Sequence, residues 1–404
     1  MATVIISPYN VVNFPEGGGH CWVYLQYVLG LRQWGCDVYW LEQLRPRGDL
    51  REDEALLAAF FSKLEDFDLR EKIILYAAGE DAASSDAPIR YVGMRRAKAE
   101  ALMSRADLLL NFHYAISPAL LARFRRTALV DIDPGLLQFW ISRRQLSVPR
   151  HDVYFTTGET VGAPSALFPD CGLDWIHIRP PVSLERWPYA FTPRAEAFTT
   201  VSNWDADDWI VDGQVVYENT KRVAFLEFAD LPRFTAQPLE LALFLRTERD
   251  SQDRRELEAR GWRVRDSRAR AGTPASYQRY IQGARGEFSC AKPSCLKFRN
   301  AWISDRSLCY LASGKPVVTQ TTGPSCYLPN GEGLFRVSTM PEAAAALAAV
   351  NEDYERHSRS ARQIAEAYFD SKQVAEQILS KGLANSEPVP RRPSTRLSPA
   401  PVEH

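Results

Sequence analysis

Residues 3–41 read TVIISPYNVVNFPEGGGHCWVYLQYVLGLRQWGCDVYWL, and this stretch decides the fold class of the chain. An apolar run at 3–7 is followed by a glycine-rich loop at 15–20, and apolar residues then recur at helical spacing over 22–34. A single glycine ends that pattern before a second apolar run at 37–41. A strand, a glycine loop, a helix and a second strand in this order predict a right-handed βαβ unit. The chain therefore begins as an α/β protein with a parallel sheet.

The alternation of apolar runs and helical patterns continues along the 404 residues, a length that suits two domains. Residues 179–194 carry four prolines and no regular pattern, which predicts a linker. Further strands are predicted at 72–76, 108–111, 128–131, 153–155, 198–202, 239–245, 262–265, 286–289 and 316–319, and a last helix at 354 to about 379. The expected divisions are a first domain at 1–185, a second domain at 195–355, a closing helix at 356–384 and a disordered tail at 385–404.

Composition and charge exclude several classes of function. The formal net charge is -1, so no basic surface field favours nucleic acid or an anionic membrane. The seven cysteines contain no CxxC pair, which argues against a zinc site and a disulfide framework. The N-terminus lacks a basic region followed by an apolar stretch, and no apolar run is long enough to span a bilayer. We expect a cytoplasmic monomer or homodimer that binds neither nucleic acid nor the membrane interior.

The glycine-rich loop is the first candidate site. Gly18 and Gly19 allow the backbone to approach a ligand closely, and they precede a helix whose first N–H groups point outward. The loop is not a GxGxxG motif, so a dinucleotide site is weakly supported. His20 then stands at the expected carboxyl edge of the sheet, where it could act as a general base on an acceptor hydroxyl. The alternative is that His20 is a polar neighbour of the helix N-cap with no catalytic part.

Residues 302–318, WISDRSLCYLASGKPVV, form the most specific motif of the chain. Ser304 or Asp305 is placed to cap a helix whose free N–H groups make an anion site. Arg306 in the first helical turn opposes the helix dipole and therefore needs a partner. A diphosphate bound by Ser304, Asp305, Arg306 and Ser307 is one such partner. An ion pair between Arg306 and Asp305, or another carboxylate, is the alternative.

The order of these motifs resembles a known family. In residues 302–318 a helix is followed by Ser-Gly, a basic residue and Pro-Val-Val, and glycine motifs follow at 323–324 and 331–333. This order resembles the donor half of GT-B glycosyltransferases, while 17–20 and 34–38 are similar to their N-terminal glycine loop and second strand. The resemblance covers residue 1 to about 380. It implies two Rossmann-like doubly wound domains facing each other across a cleft, with the last helix crossing back to the first domain.

One departure from this family concerns a pair of glutamates. Many retaining members carry two glutamates eight positions apart around the donor helix, and the matching positions here are Ala301 and Cys309. The carboxylate that usually binds ribose is therefore missing, and the anomeric outcome stays open. The Ser-Asp-Arg-Ser sequence is closer to a branch often associated with natural products or surface polysaccharides. Members of the fold generally need no metal or other cofactor, because cations and a helix dipole stabilise the leaving diphosphate.

Two further groups of residues are assigned to the donor by this resemblance. Asn203 and Trp204 follow the first strand of the second domain, and a basic residue beyond that strand often reaches the diphosphate. Lys221 is the candidate for that residue, with a solvated surface lysine as the alternative. The nucleotide base is expected at the next strand end, at Glu287, Phe288 and Ser289, through backbone contacts in particular.

Three residues of the first domain are candidates for catalysis and acceptor binding. Asp131 and Asp133 follow a predicted strand, where ligands bind in open α/β sheets. Either carboxylate could orient His20 or bind acceptor hydroxyls, with Asp133 assigned to catalysis and Asp131 to the acceptor. The alternative is a local Asp-Pro-Gly turn. His113 stands at another strand end and is assigned to the acceptor.

These assignments predict transfer of a sugar from a nucleoside-diphosphate sugar, such as a UDP- or TDP-sugar, to a hydroxyl of a natural product or saccharide. A sugar-nucleotide epimerase or hydrolase on the same fold is an alternative, and it would consume the donor without an acceptor. A protein that binds a nucleotide sugar without consuming it is a third interpretation. Fold analogy alone does not separate the three.

Overall fold

The structure is a computed structural model, and it describes residues 1–77, 89–205 and 208–384. Contacts between Cα atoms divide the chain into two compact units. The first unit comprises residues 1–15, 20–180 and the chain from 371 onward. The second unit comprises residues 16–19 and 181–370. The predicted tail at 385–404 lies outside the described residues.

The first unit contains an eight-stranded sheet in the order β4-β3-β2-β1-β5-β6-β7-β8. All neighbouring strands are parallel except β3 and β4, which pair antiparallel at one edge. Several strands are buried at every position, as expected for a parallel sheet covered on both faces. The strands are β1 (Thr3–Ser7), β2 (Asp37–Gln43), β3 (Ile73–Ala77), β4 (Arg90–Val92), β5 (Leu108–Asn111), β6 (Thr127–Asp131), β7 (Val153–Thr156) and β8 (Trp175–His177).

Helices connect these strands. An aliphatic cluster that includes Ile5, Leu41, Ile74 and Leu109 packs strands against α3 and α4. A short 3-10 turn precedes β3. The helices around this sheet are α1 (Gly18–Gln33), α2 (Leu50–Glu65), α3 (Arg96–Arg105), α4 (Pro118–Leu121), α5 (Leu136–Ser142) and, at the end of the described chain, α14 (Ser371–Gly382).

The second unit contains a six-stranded, fully parallel sheet in the order β13-β12-β9-β14-β15-β16 and a separate hairpin of β10 and β11. The strands are β9 (Phe198–Asn203), β10 (Trp209–Asp212), β11 (Val215–Glu218), β12 (Leu239–Phe244), β13 (Arg263–Asp266), β14 (Gly286–Ser289), β15 (Val317–Gln320) and β16 (Leu334–Val337). The helices are α6 (Lys221–Glu227), α7 (Glu248–Ala259), α8 (Ser267–Ala271), α9 (Pro274–Gln282), α10 (Pro293–Phe298), α11 (Asp305–Ala312), α12 (Met340–Glu352) and α13 (Tyr354–Tyr368).

Both sheets reverse their strand order at one point. The parallel strands follow the spatial order 3-2-1-4-5-6-7 in the first sheet and 3-2-1-4-5-6 in the second, and the order reverses between β1 and β5 in the first unit. In the second unit it reverses between β9 and β14. Ligands of open α/β sheets bind outside the carboxyl ends of the strands at such a switch point. The α/β class and the Rossmann-like character of each half are therefore as predicted.

The closing helix differs from the prediction. One helix was expected to run to about residue 379, with the part from 356 returning to the first domain. The structure has two helices: α13 belongs to the second unit, and only α14 belongs to the first. The helix α13 ends before Phe369, whose carbonyl accepts a hydrogen bond from the Val182 backbone N–H at 2.7 Å. Pairing of residue 182 with residue 370 interrupts the helix, because the backbone groups there bond to another segment.

The hairpin was not predicted from the sequence. Its strands pair Asp212 with Val215 on either side of the two-residue turn Gly213–Gln214, and Gly213 has a φ of 64°. A two-residue loop that begins with glycine between two apolar runs is a hairpin signal, because a type II′ turn requires positive φ at its first position. This signal was present in the sequence and would have revealed the element.

Candidate functional site

His20 lies at the switch point of the first sheet. Its Nε2 is 2.7 Å from the backbone oxygen of Tyr9, the second residue after β1. Burial lowers the pKa of His20 to about 4, and the nearby Lys63 acts in the same direction. The ring is therefore neutral at pH 7 and donates its Nε2 hydrogen to Tyr9. The lone pair is then on Nδ1, which is the nitrogen able to accept a proton.

His113 lies beside the same tyrosine. It follows β5, and its ring centroid is 5.2 Å from that of Tyr9. The residue is 6% exposed, and within the described chain its ring nitrogens make no hydrogen bond. Burial lowers its pKa to about 4, with a smaller contribution from Arg45. The predicted His20 and His113 thus both contact one residue, Tyr9, which was not predicted from the sequence.

The segment that carries Tyr9 is held by side chains that were also not predicted. Arg45 donates through Nη2 to the Tyr9 hydroxyl at 3.2 Å. Glu42 accepts from the Val12 backbone N–H at 2.9 Å and from Trp40 Nε1 at 2.8 Å. Burial raises the pKa of Glu42 to about 7. Glu42 is the last residue but one of β2, and Arg45 is the second residue after that strand. Polar groups at a strand's carboxyl end were the signal that could have found both.

The two aspartates after β6 differ from their predicted roles. The side chain of Asp131 is fully buried, and it accepts bonds from Gln138, Thr156 and the Asp133 backbone N–H at 2.8, 2.8 and 3.0 Å. Burial raises its pKa to about 7. Asp133 accepts from the Tyr114 hydroxyl at 3.1 Å. Acceptor binding by Asp131 is thus contradicted by its burial, since donors from the turn, from α5 and from β7 bind its oxygens.

Neither aspartate orients His20 through a hydrogen bond in the described chain. Across the described residues, the His20 ring hydrogen-bonds to Tyr9 and to neither Asp131 nor Asp133. A backbone carbonyl takes the orienting position. The local-turn alternative accounts for Asp131, and the assignment of Asp133 to catalysis stays a prediction.

Lys221 is the candidate donor-binding residue of the second unit, and Arg306 and Glu287 are near it. It is the first residue of α6, and its Nζ is 5.4 Å from the centroid of the Trp302 ring. Nζ is shielded from solvent and has no hydrogen-bond partner within the described chain. Burial lowers the pKa of Lys221 to about 7, and the neighbouring Arg306 contributes in the same direction. The interpretation of Lys221 as a solvated surface lysine is therefore wrong.

Arg306 has the ion pair that the sequence left as an alternative. Its Nε donates to Glu287 Oε1 at 2.5 Å, and its Nη1 donates to the Val201 carbonyl at 2.8 Å. Its Nη2 donates to the Ser289 hydroxyl. Glu287 is fully buried, and Arg306 is 9% exposed. Arg306 thus ties α11 to β9 and β14, and its side chain is held by protein groups.

The rest of the Ser-Asp-Arg-Ser motif starts α11 as predicted. Ser304 occupies the N-cap position, but its side chain makes no capping hydrogen bond. Asp305 is the first helical residue. The Ser307 hydroxyl is buried without a partner, as is Glu287 Oε2. Buried polar atoms without partners are uncommon, so the start of α11 has hydrogen-bonding capacity that the described protein groups leave unused.

Several residues assigned to the donor are structural. Trp204 is fully buried, and its Nε1 donates to Asp253 at 2.9 Å. Phe288 lies in the same hydrophobic core. The side chains of Trp204 and Phe288 are therefore unable to contact a ligand, and Arg306 binds those of Glu287 and Ser289. Binding of the nucleotide base by the backbone of 287–289 stays a prediction. Asn203, at the end of β9, is exposed.

The two glycines have a packing role. Gly18 and Gly19 group with the second unit. A Cβ on Gly18 would lie 2.4 Å from the Ala271 carbonyl oxygen, and a Cβ on Gly19 would lie 2.5 Å from the Tyr277 ring. Glycine is required at both positions because protein atoms approach this closely. The predicted approach of a ligand to them stays a prediction.

The described residues hold neither a candidate metal cluster nor a candidate membrane-spanning helix. No group of three or more histidine, cysteine, aspartate or glutamate side chains in residues 1–77, 89–205 and 208–384 is arranged to hold a metal ion. Over the same residues, no helix combines the length and the apolar character needed to cross a bilayer.

Comparison with known proteins gives matches among solved structures. Neither protein-family models nor curated protein sequences match this chain. The structure is similar to that of HepE from Anabaena in complex with UDP and glucose, with a TM-score of 0.59, 14% identity, and coverage of 94% of this chain and 99% of that one. An alpha-glucosyltransferase in complex with UDP has a TM-score of 0.56 at 12% identity, with the same coverage of both chains.

A third similar structure is AviGT4, a glycosyltransferase involved in avilamycin A biosynthesis. Its TM-score is 0.52 at 14% identity, covering 96% of this chain and 99% of that one. An alpha-glucosyltransferase in complex with UDP and a 13-mer DNA is also similar, with a TM-score of 0.58 at 11% identity. At such low identity the similarity establishes architecture rather than activity. The chain has the GT-B fold that its motifs predicted, over almost its entire length.

Proposed function

We propose that this protein is a metal-independent glycosyltransferase that moves a sugar from a nucleoside-diphosphate sugar to a hydroxyl of a natural product or saccharide. The fold shared with HepE, the alpha-glucosyltransferase and AviGT4 supports this class of reaction. The observation that carries the proposal is Lys221, whose buried ammonium group lacks an acceptor within the described chain. It lies at the switch point of the second sheet, where the fold binds ligands.

A diphosphate supplies the hydrogen-bond acceptor that Lys221 lacks in the described chain. An amine buried without a hydrogen-bond acceptor is costly to charge, and this lowers its pKa to about 7. A phosphate oxygen beside Nζ would favour the charged form and raise the pKa. The nearby Arg306 adds positive potential, while Glu287 neutralises only part of it. The site is thus suited to an anion with more than one negative charge.

The reaction follows from these groups. The acceptor hydroxyl oxygen attacks the anomeric carbon, and the bond from that carbon to the diphosphate oxygen breaks. Nδ1 of the neutral His20 takes the hydroxyl proton. Lys221 and the N–H groups at the start of α11 stabilise the charge that develops on the departing nucleoside diphosphate. Removal of divalent metals with EDTA should leave the rate unchanged.

Proton uptake on binding UDP tests the proposal directly. If the diphosphate raises the pKa of Lys221 from about 7, UDP binding at pH 7.5 should take up a substantial fraction of a proton per site. Calorimetric titrations in buffers of different ionisation enthalpy measure this uptake. Lys221→Met should abolish the uptake and weaken binding by roughly ten- to a hundredfold, as expected for the loss of a charged hydrogen bond.

A matched lysine serves as the control. Lys297 belongs to the same unit, but it is partly exposed and pairs with Asp212 at 2.9 Å. Lys297→Met should bind UDP with unchanged affinity and proton uptake. Equal UDP binding by the native protein and Lys221→Met would refute the assignment of the site. Consumption of UDP-glucose without any acceptor would instead favour a hydrolase or epimerase, and binding without consumption would favour a non-catalytic protein.

A further inference from the structure

Four residues of the first unit form a cluster beyond the carboxyl ends of β1 and β5: Tyr9, His20, Arg45 and His113. We propose that this acceptor cluster binds an acceptor that carries a negative charge, a carboxylate or a phosphate, which Arg45 recognises while the sugar ring packs on Tyr9. This inference rests on the proposed function and adds the chemical class of the acceptor. The resemblance to known glycosyltransferases does not specify that class.

The cluster offers an aromatic surface and a partner-free polar side chain. Tyr9 is 42% exposed although its backbone oxygen and its hydroxyl both accept hydrogen bonds. Its ring therefore has a fixed position, between the contacts of Arg45 and His113, and part of it is open to solvent. His113 is more than nine-tenths buried, and its ring nitrogens find no hydrogen bond in the described chain. Ligand sites combine such apolar faces with a few polar groups that fix orientation.

The charge of the cluster comes from Arg45. Its guanidinium donates to the Tyr9 hydroxyl and lies 5.6 Å from the centroid of that ring. Within residues 1–77, 89–205 and 208–384, no carboxylate forms an ion pair with it. The nearest acidic side chain in the sequence, Glu42, is 1% exposed and directs its oxygens to Val12 and Trp40. Arg45 therefore gives the cluster a positive charge that no ion pair in the described chain compensates.

The position of Arg45 is also defined by the fold. Its backbone N–H donates to Asn13 Oδ1 at 2.9 Å, and Asn13 Nδ2 donates to the Gln43 carbonyl at 2.9 Å. The guanidinium group of Arg45 has five N–H donors, and one of them binds the Tyr9 hydroxyl. Those left can bind a carboxylate or phosphate with two parallel bonds. Arg45 and His20 contact opposite ends of Tyr9, so the charged group of the acceptor and its reacting hydroxyl occupy separate places.

Pairs of sugars that differ in one charged group test the inference. Methyl β-glucuronide is compared with methyl β-glucoside for the carboxylate, and glucose 6-phosphate is compared with glucose for the phosphate. Dissociation constants are measured by NMR titration, with and without saturating UDP. We expect at least one charged sugar to bind about tenfold more tightly than its neutral partner, as for a charged hydrogen bond. The pair that shows the preference identifies which anion is recognised.

Variants separate charge recognition from ring packing. Arg45→Gln should remove the preference for the charged sugar and leave binding of the neutral sugar unchanged. Arg47→Gln is the matched control, because this exposed arginine of the same loop uses its backbone N–H, in a 2.8 Å bond to Asp53. Tyr9→Ala should weaken the neutral and the charged sugar by the same factor. Melting temperatures confirm that each variant is folded.

Three results would overturn the inference: equal binding of charged and neutral sugars, a preference that survives Arg45→Gln, or no binding of any of the four sugars. None of these measurements requires a functional donor site. Failure of the proposed function would appear separately, as normal UDP binding by Lys221→Met or as an absence of UDP binding by the native protein.

Discussion

The two switch points share one strand order but differ in charge. In the first unit the buried titratable groups, which we call the neutral side, are held near neutrality, because burial lowers the pKa of His20 and His113 to about 4 and raises that of Glu42 and Asp131 to about 7. The charge of Arg45 lies on an exposed side chain at the rim of these groups. In the second unit a buried Arg306–Glu287 pair lies beside Lys221. The topology therefore determines where ligands meet each sheet, and burial determines which groups there carry charge. The neutral side suits proton transfer, and the cationic side suits a diphosphate.

The largest expected effect concerns the buried ion pair of the second unit. Arg306→Ala leaves Glu287 buried without its partner, and the free energy of unfolding should fall by about 3–5 kcal/mol. Urea unfolding measures this loss. Weak UDP binding by this variant would not distinguish a lost ligand contact from a loss of folded protein. Lys221 is for this reason the better residue with which to test the donor site.

Two controls define the effect of Arg306. Arg359→Ala removes an exposed ion pair with Glu355 and should change stability by about 0.5 kcal/mol or less. Adding Glu287→Ala to Arg306→Ala should recover part of the lost stability, because the lone buried charge is gone. Equal stability of Arg306→Ala and Arg359→Ala would show that the cationic side does not depend on this pair.

The next effect concerns pH and the buried carboxylate of the first unit. Glu42 has a pKa of about 7 in the folded protein and 4.5 in the unfolded chain. The folded state therefore binds more protons between these values, and stability falls as pH rises through this window. Glu42→Gln should remove about 3 kcal/mol of this loss, a figure obtained from the size of the pKa shift. Urea unfolding of both proteins from pH 5 to 8 measures it.

The difference between the two proteins isolates Glu42. The histidines act in the opposite direction, since their lowered pKa values make stability rise with pH between about 4 and 6.5, but they are present in both proteins. A stability difference that stays constant from pH 5 to 8 would show that Glu42 is ionised throughout, and the first unit would then not be the neutral side.

His20→Gln tests the proton transfer. The variant keeps a polar side chain but no basic nitrogen, so kcat should fall about a hundredfold while UDP affinity stays unchanged. His177→Gln is the matched control, because the Nε2 of His177 also bonds to a backbone carbonyl, that of Val161, at 2.8 Å. In the native protein kcat should not change between pH 5.5 and 8, since the pKa of His20 is about 4. A loss of kcat below pH 6.5 would contradict the lowered pKa.

The smallest expected effect concerns the ring next to Lys221. Trp302→Leu removes the aromatic face that lies 5.4 Å from Nζ and should weaken UDP binding by about 1 kcal/mol. Calorimetry detects such a change. Trp209→Leu, on the exposed hairpin, should leave the affinity as it is. Equal effects of the two substitutions would mean that the ring does not stabilise the charged lysine.

The sequence predicted the location of the candidate site better than its chemistry. The predicted core strands of both sheets lie within two residues of the observed ones, because apolar runs and glycine stops reflect local backbone preferences. His20, His113, Lys221 and the start of α11 accordingly lie at the expected strand ends. Trp204, Phe288 and Asp131 were assigned to ligands because sequence position does not show which way a side chain points or how deeply it is buried.

What the sequence determined by itself is the succession of strands and helices, the glycine loops and the place of each motif in that succession, since these follow from local periodicity and turn chemistry. Tertiary structure alone decided which side chains interact with one another. Glu287 and Arg306 meet across 19 positions, and Tyr9 joins His20, Arg45 and His113 from three separate segments. It also decided the charges, because the pKa of Lys221 or Glu42 depends on how completely the folded chain removes water from the group.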